Sequence, residues 1–276
     1  MPPPPGLQPA FVDGPAGAIF TLRFPAAGGS LGTAALLVPP FAEEMNRARR
    51  FLAATGRGLA AQGHTALLPD LHGTGDSAGA FAAATWEIWQ AELDTLTERL
   101  AAETGHPVHL IAVRTGALLA AATARQHPGA VAGLTLVQPV TDGGRFLDQL
   151  LRVRIAAAMA QGQRESRADL RAAWQTGEAV EVGGYAIAPA LAEGLSACRL
   201  GDLPPPAGLP IAWLDIRAPG SDAPTQSPAL PAGWHSAADT RRSIAAPAVW
   251  QLAEPETADP LVAELCNTLS PQQVAA

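Results

Sequence analysis

Lysine is missing from this chain. All 18 basic residues among its 276 are arginines, set against 25 carboxylates for a net charge of −7. No basic stripe is left to argue for nucleic acid. The only two cysteines, Cys198 and Cys266, lie far apart with no CxxC or Cys/His cluster. That pattern argues against a disulfide framework or a structural zinc site and leaves two reduced, mostly buried thiols. No stretch approaches the roughly 18 uninterrupted apolar residues of a membrane-spanning helix. The opening MPPPPGLQPAF has neither the charged nor the apolar region of a secretory signal. These absences give the expectation of a cytoplasmic protein with no transmembrane segment, metal or cofactor. Hydrophobic residues make up 48% of the chain, enough for a full core.

The most informative segment is HLIAVRTGALLAAA, a short apolar run followed by an alanine-rich helix signal. A corner of the G-x-S-x-G type holds a serine nucleophile on a sharp strand-to-helix turn, and small residues two places either side keep the backbone from colliding. Ala112 and Gly116 meet that requirement, but the apex is Arg114. Arginine stays protonated and offers only donors, so it neither attacks a carbonyl nor serves as a general base.

Around that corner, strand-like and helix-like patterns alternate, which predicts a doubly wound, mostly parallel sheet with helices on both faces. Strand candidates are Thr33 to Pro40, His64 to Asp70, the run from Val108, Val131 to Val140, Leu209 to Arg217 and Ala246 to Leu252. Met45, Ala48, Leu52, Thr55 and Leu59 mark a helix stopping near Gly63. Trp86, Trp89, Leu93, Leu96 and Leu100 mark another starting near Thr85, its tryptophans in register with the leucines and read as core. Residues 141–206 read as helical stretches inserted between strands, a cap over the sheet. Residues 218–233 form a Pro/Ser-rich loop, and Leu261, Leu265 and Leu269 share a face of a last helix. The whole, residues 1–276, reads as one α/β domain.

Several strings, in order, carry a family resemblance: PPFAEEMNRARR, LLPDLHGTGDSAGAF, Thr85-Trp86 with Trp89, VRTGALLA, QPVTDGGRFLDQLLRVRIA and EVGGYAIAPAL. Between about Leu36 and Leu200 the chain resembles the second type of bacterial exosortase-A-system-associated hydrolase. The resemblance implies an α/β-hydrolase fold and a setting beside exopolysaccharide production and protein sorting, whose proteins become candidate partners. It implies no substrate.

In α/β hydrolases an acid and then a histidine follow the serine. Asp215 is a candidate acid and equally a strand-end aspartate capping a turn. The expected histidine position falls near Trp250 and Gln251, and His235 is the last histidine. Without serine and histidine, ordinary acyl transfer has no activated hydroxyl. Loops after parallel strands converge at one edge of the sheet. Those loops bring together Phe41, Glu43 and Glu44; His72, Asp76 and Ser77; Arg114 and Thr115; and Gln138 with Arg145. The Phe41 and Thr115 amides stand where the superfamily forms its oxyanion hole, and Arg114 opens a helix N-terminus. The ring suits a small anionic or acylated ligand gripped by Arg114, or Arg114 pairs with Asp76, Glu43 or Glu44 and closes the site. The string GTGDSAG lacks the lysine of a phosphate-binding loop. Ser77 stabilises its turn or is a relocated nucleophile, with His72 as an available base. Three readings follow: a degenerate ligand binder, a hydrolase rebuilt on His72, Asp76 or Ser77, and an interaction protein of the polysaccharide machinery.

Overall fold

The computed structural model describes residues 6–28, 33–220, 229–234, 237, 240–252, 254 and 258–269. Its centre is an eight-stranded sheet in the order β1-β2-β4-β3-β5-β6-β9-β10. The strands are β1 (Gln8–Gly14), β2 (Gly17–Phe24), β3 (Ala34–Val38), β4 (Thr65–Pro69), β5 (Val108–Val113), β6 (Val131–Val137), β9 (Ile211–Arg217) and β10 (Arg241–Ala245). From β4 to β10 all neighbours run parallel, and β1 and β2 form an antiparallel hairpin joined antiparallel to β4. This is the doubly wound, mostly parallel sheet that the alternating patterns predict.

Parallel strands covered on both faces read as unbroken apolar runs. In β3, Ala34, Leu36 and Val38 face the core shared with α2 (Trp86–Thr104) and α3 (Gly116–Gln126). Ala35 and Leu37 face the opposite core, under α1 (Glu43–Ala61) and α7 (Asp259–Asn267). Thr85 caps α2 by accepting from the Ile88 amide, which fixes its start at the expected place. Trp86 and Trp89 are buried among the leucines of that helix.

Two local expectations need correction, and one element had no expectation: residues 8–24 form the β1–β2 hairpin, turning on Pro15 and Ala16 between Gly14 and Gly17. The strand expected at 246–252 is displaced: β10 ends at Ala245, Pro247 supplies no amide to a ladder, and Val249–Gln251 is a single 3-10 turn. The insertion between β6 and β9 is not wholly helical. It holds α4 (Gly143–Ala160), α5 (Arg167–Gln175), a hairpin of β7 (Val180–Val182) and β8 (Tyr185–Ile187), and α6 (Pro189–Ala197). That hairpin turns on Gly183 and Gly184 with φ of 58° and 84°, the pair of positive values a tight two-residue turn requires. Both cysteines are free, Cys266 buried and Cys198 half-buried, and burial pushes the Cys198 thiol up to about 11.

Candidate functional site

Arg114 is the residue at which β5 breaks into α3, and its φ is 55°. A branched or long side chain rarely holds that left-handed backbone unless its neighbours impose it. Here they do: the Arg114 amide donates to the Val137 carbonyl at 3.0 Å, and its carbonyl accepts from Val140 at 3.1 Å and Ala117 at 3.2 Å. A Cβ on Gly116 would stand 2.7 Å from the carbonyl oxygens of both Val38 and Pro39, so the small residue the spacing demanded is sterically necessary. Two further non-glycine residues at positive φ belong to loops of the same edge, Ala42 (50°) at the start of α1 and Gln138 (42°) after β6.

The guanidinium is heavily partnered. Its Nε donates to both Glu44 oxygens at 3.3 and 3.2 Å, NH2 to Oε1 at 3.2 Å, and NH1 to the Gln138 carbonyl at 3.2 Å. The Phe146 ring of α4 lies 5.8 Å and the Trp250 ring 5.5 Å from Cζ, within cation–π range. The two side chains keep only 14% and 15% of their exposure. Burial pushes the Glu44 carboxyl up by more than the charge and hydrogen bonds of Arg114 draw it down. Of the three carboxylates within reach on sequence grounds, Glu44 is the one engaged. Glu43 reaches Arg47 one turn along α1 at 2.9 Å, and Asp76 is exposed.

Beside this pair the Phe41 and Thr115 amides donate to no described acceptor. Both residues are buried, Phe41 packed edge-on against Phe81, Trp89 and Phe146. The space they border, lined also by Met45, Leu71, Trp86 and Leu119, is about 10 Å³, room for about one water. Gln138 turns its side-chain oxygen away to accept from Ile216 at 2.6 Å. Arg145 points outward, its side chain 88% exposed.

The other candidates are engaged elsewhere. The Ser77 hydroxyl donates to the Asp70 carbonyl and accepts from the Phe20 amide at 2.7 Å, tying the loop to β2. Asp70 is buried and bound by Arg49 and by the Asp76 amide at 3.1 Å. The His72 amide donates to Glu92 at 2.7 Å and its carbonyl accepts from the Trp89 indole at 2.9 Å, while its ring Nδ1 has no partner. Asp215 accepts from Arg241 at 2.6 Å and from the Trp213 indole at 3.2 Å. His235 lies outside the described residues. Trp250 and Phe146 are site residues that sequence reasoning did not assign. Trp250 had a signal, because it occupies the place where the histidine was expected. Among the described residues no cluster of three His, Cys, Asp or Glu side chains is placed to hold a metal.

A family model described as serine aminopeptidase, S33, matches residues 35–193. Among curated proteins, none matches. Est1E from Butyrivibrio proteoclasticus, in its complex with ferulic acid, is similar in structure at 12% identity, covering 97% of this chain and 100% of its own with a TM-score of 0.64. An α/β serine hydrolase homologue from Coxiella burnetii is similar at 13% identity, covering 95% and 97% with a TM-score of 0.55. At such identities the likeness establishes the fold.

Proposed function

The chain belongs to the serine aminopeptidase S33 family of α/β hydrolases, and from that premise we propose a member whose acyl-transfer site has become an internal clamp. The observation that carries this reading is the guanidinium at the elbow apex, held by Glu44, the Gln138 carbonyl, Phe146 and Trp250. Acyl transfer needs a hydroxyl and an adjacent base at that point. An arginine and an indole fill both places. The clamp instead joins α1, the elbow, the β6 loop, α4 and the C-terminal turn. On this reading the insertion at 141–206 is a cap fastened to the sheet, and the protein acts through binding. The resemblance to exosortase-associated hydrolases supports partners in exopolysaccharide production or protein sorting.

A second reading keeps the site as a receptor for a small anionic or acylated ligand. Two observations favour it: the unengaged Phe41 and Thr115 amides beside a helix N-terminus, and a Glu44 carboxyl that burial inclines towards neutrality. A ligand anion would take the place of Glu44 on Arg114 and open the small space beside it. The remaining reading, a hydrolase rebuilt on His72, Asp76 or Ser77, must contend with a serine whose donor and acceptor roles are both filled.

A serine-directed fluorophosphonate probe separates these. The clamp and receptor readings expect no labelling of the purified protein. Labelling that vanishes in Ser77→Ala would establish the rebuilt hydrolase and sink both. Thermal shifts against acyl and phosphosugar panels, present in the native protein and lost in Arg114→Ala, would favour the receptor over the clamp.

A further inference from the structure

The insertion shows two unlike faces. On its inner side α4 buries Phe146, Leu147, Leu151 and Ala158, packing on α5, α6 and β7, with Phe146 resting on Arg114. At 100° per residue, the opposite arc carries Arg145, Gln149, Arg152, Val153, Ala156, Met159 and Ala160, all exposed, with Asp142 at the helix start 3.9 Å from Arg145 as its one flanking carboxylate. Val153 and Met159 are 63% and 67% exposed, two of the three most exposed large hydrophobic residues described. No helix among the described residues is long and apolar enough to cross a membrane, so this face meets any bilayer only from the side.

Charge selects the occupant. The positive charge is local: residues 143–164 hold four arginines against one carboxylate, within an insertion (141–206) of seven arginines and eight carboxylates. Asp148, at the border of the arc, is already neutralised by Arg171 at 2.7 Å and Arg167 at 3.5 Å. Arg152, and Arg164 in the loop after α4, have no ion pair among the described residues. Arginines flanking exposed Val and Met on one helix arc are what an anionic lipid surface recognises: apolar side chains enter the headgroup boundary while cations meet the phosphates. We infer that the outer face of α4 docks this protein peripherally on an anionic bilayer.

Each arginine near such a surface raises binding about fivefold, so Arg152 and Arg164 together supply roughly twenty-fivefold, screened away by salt. The test is co-sedimentation of the full chain with phosphatidylcholine vesicles containing about one-third phosphatidylglycerol, against pure phosphatidylcholine. The expected result is binding to the anionic vesicles alone, lost in half-molar salt, and weakened at least tenfold in both Val153→Asp/Met159→Asp and Arg145→Glu/Arg152→Glu. These side chains are exposed, so melting temperatures should stay near the native value. Wild-type protein left in the supernatant with anionic vesicles overturns the inference, as does binding indifferent to both variants. A solution dimer that Val153→Asp/Met159→Asp converts to monomer also overturns it, assigning the face to a second copy of the chain.

Discussion

Removing Arg114 and Glu44 singly and together tests whether they act as one unit. At about 4 Å, a charge pair near a protein surface interacts by roughly 4 kcal/mol at an effective dielectric of about 20. Most of that is offset by drawing both groups out of water. The observed bonds, at 3.2 to 3.3 Å, are at the long end of the range. Arg114→Gln should therefore cost about 2 to 4 kcal/mol, combining the lost ion pair with the lost contacts to Phe146 and Trp250. Glu44→Gln keeps an acceptor for the guanidinium and should cost about 1 to 2 kcal/mol. The double variant should fall short of the sum by about 1 to 2 kcal/mol, the signature of coupled partners.

Chemical denaturation of the four proteins at pH 7 measures this, and thermal melts should follow at about 2 to 4 °C per kcal/mol. In Arg114→Gln only desolvation remains to act on Glu44, so its carboxyl rises further. A carboxyl whose folded value is raised contributes stability that is full below its unfolded value, near 4.5, and is lost as pH climbs through the folded value. Arg114→Gln should accordingly lose more ground to the native protein at pH 8 than at pH 5. Single-variant costs that simply add, within about 0.5 kcal/mol, would refute the clamp.

Other perturbations probe the frame around the clamp. Gly116→Ala puts a methyl 2.7 Å from two carbonyl oxygens of the β3 exit and should cost about 2 to 3 kcal/mol by denaturant titration; a neutral result would mean the elbow is looser than described. Ser77→Ala removes one hydrogen bond from β2 and one to the Asp70 carbonyl at the end of β4, so stability should drop by about 1 to 3 kcal/mol with ligand binding unchanged. Burial pushes the Glu92 carboxyl up to about 7, so its contribution is full below 4.5 and is lost as pH rises to 7. Burial, with His64 adding to it, pushes His109 down to about 4, so its contribution is full above 6.5 and is lost as pH falls. The two slopes oppose each other between 4.5 and 6.5. Glu92→Gln should then gain on the native protein by up to about 3 kcal/mol between pH 4.5 and 7, and a pH-independent difference would refute the assignment.

The central strands were legible because each is buried on both faces, which leaves unbroken runs such as Ala34–Val38. Edge strands lack that signal. In β1 all but two residues are exposed, and β10 carries Arg241 and Arg242, whose partners Asp215 and Glu264 lie elsewhere in the chain. The elbow was legible because Ala112 and Gly116 are local steric requirements. Its partners were only partly so: three carboxylates were within reach, and which one meets Arg114 depends on the turn at Ala42, whose φ of 50° no residue preference announces. Phe146 comes from the insertion and Trp250 from a 3-10 turn mistaken for strand, so their meeting over one guanidinium is a product of the fold.

A strained backbone stands at this site with an arginine, and no hydroxyl, at its apex. Ala42, Arg114 and Gln138 each hold a positive φ, at a cost on the order of 1 kcal/mol or more apiece. Hydrogen bonds from neighbouring strands impose the two inner bends: the Arg114 amide is committed to Val137, and the Gln138 amide to Leu214 at 2.7 Å. Those bonds belong to the sheet edge and do not depend on the side chain at the apex. The elbow is thus a property of how β5, β6 and β9 end together, with Gly116 admitting the β3 exit. A side chain placed there inherits a fixed, water-poor position surrounded by α1, α4 and the C-terminal turn. An arginine is long enough to span those elements and planar enough to lie between Phe146 and Trp250 while forking onto Glu44, and on the clamp reading proposed above it uses that geometry to join them.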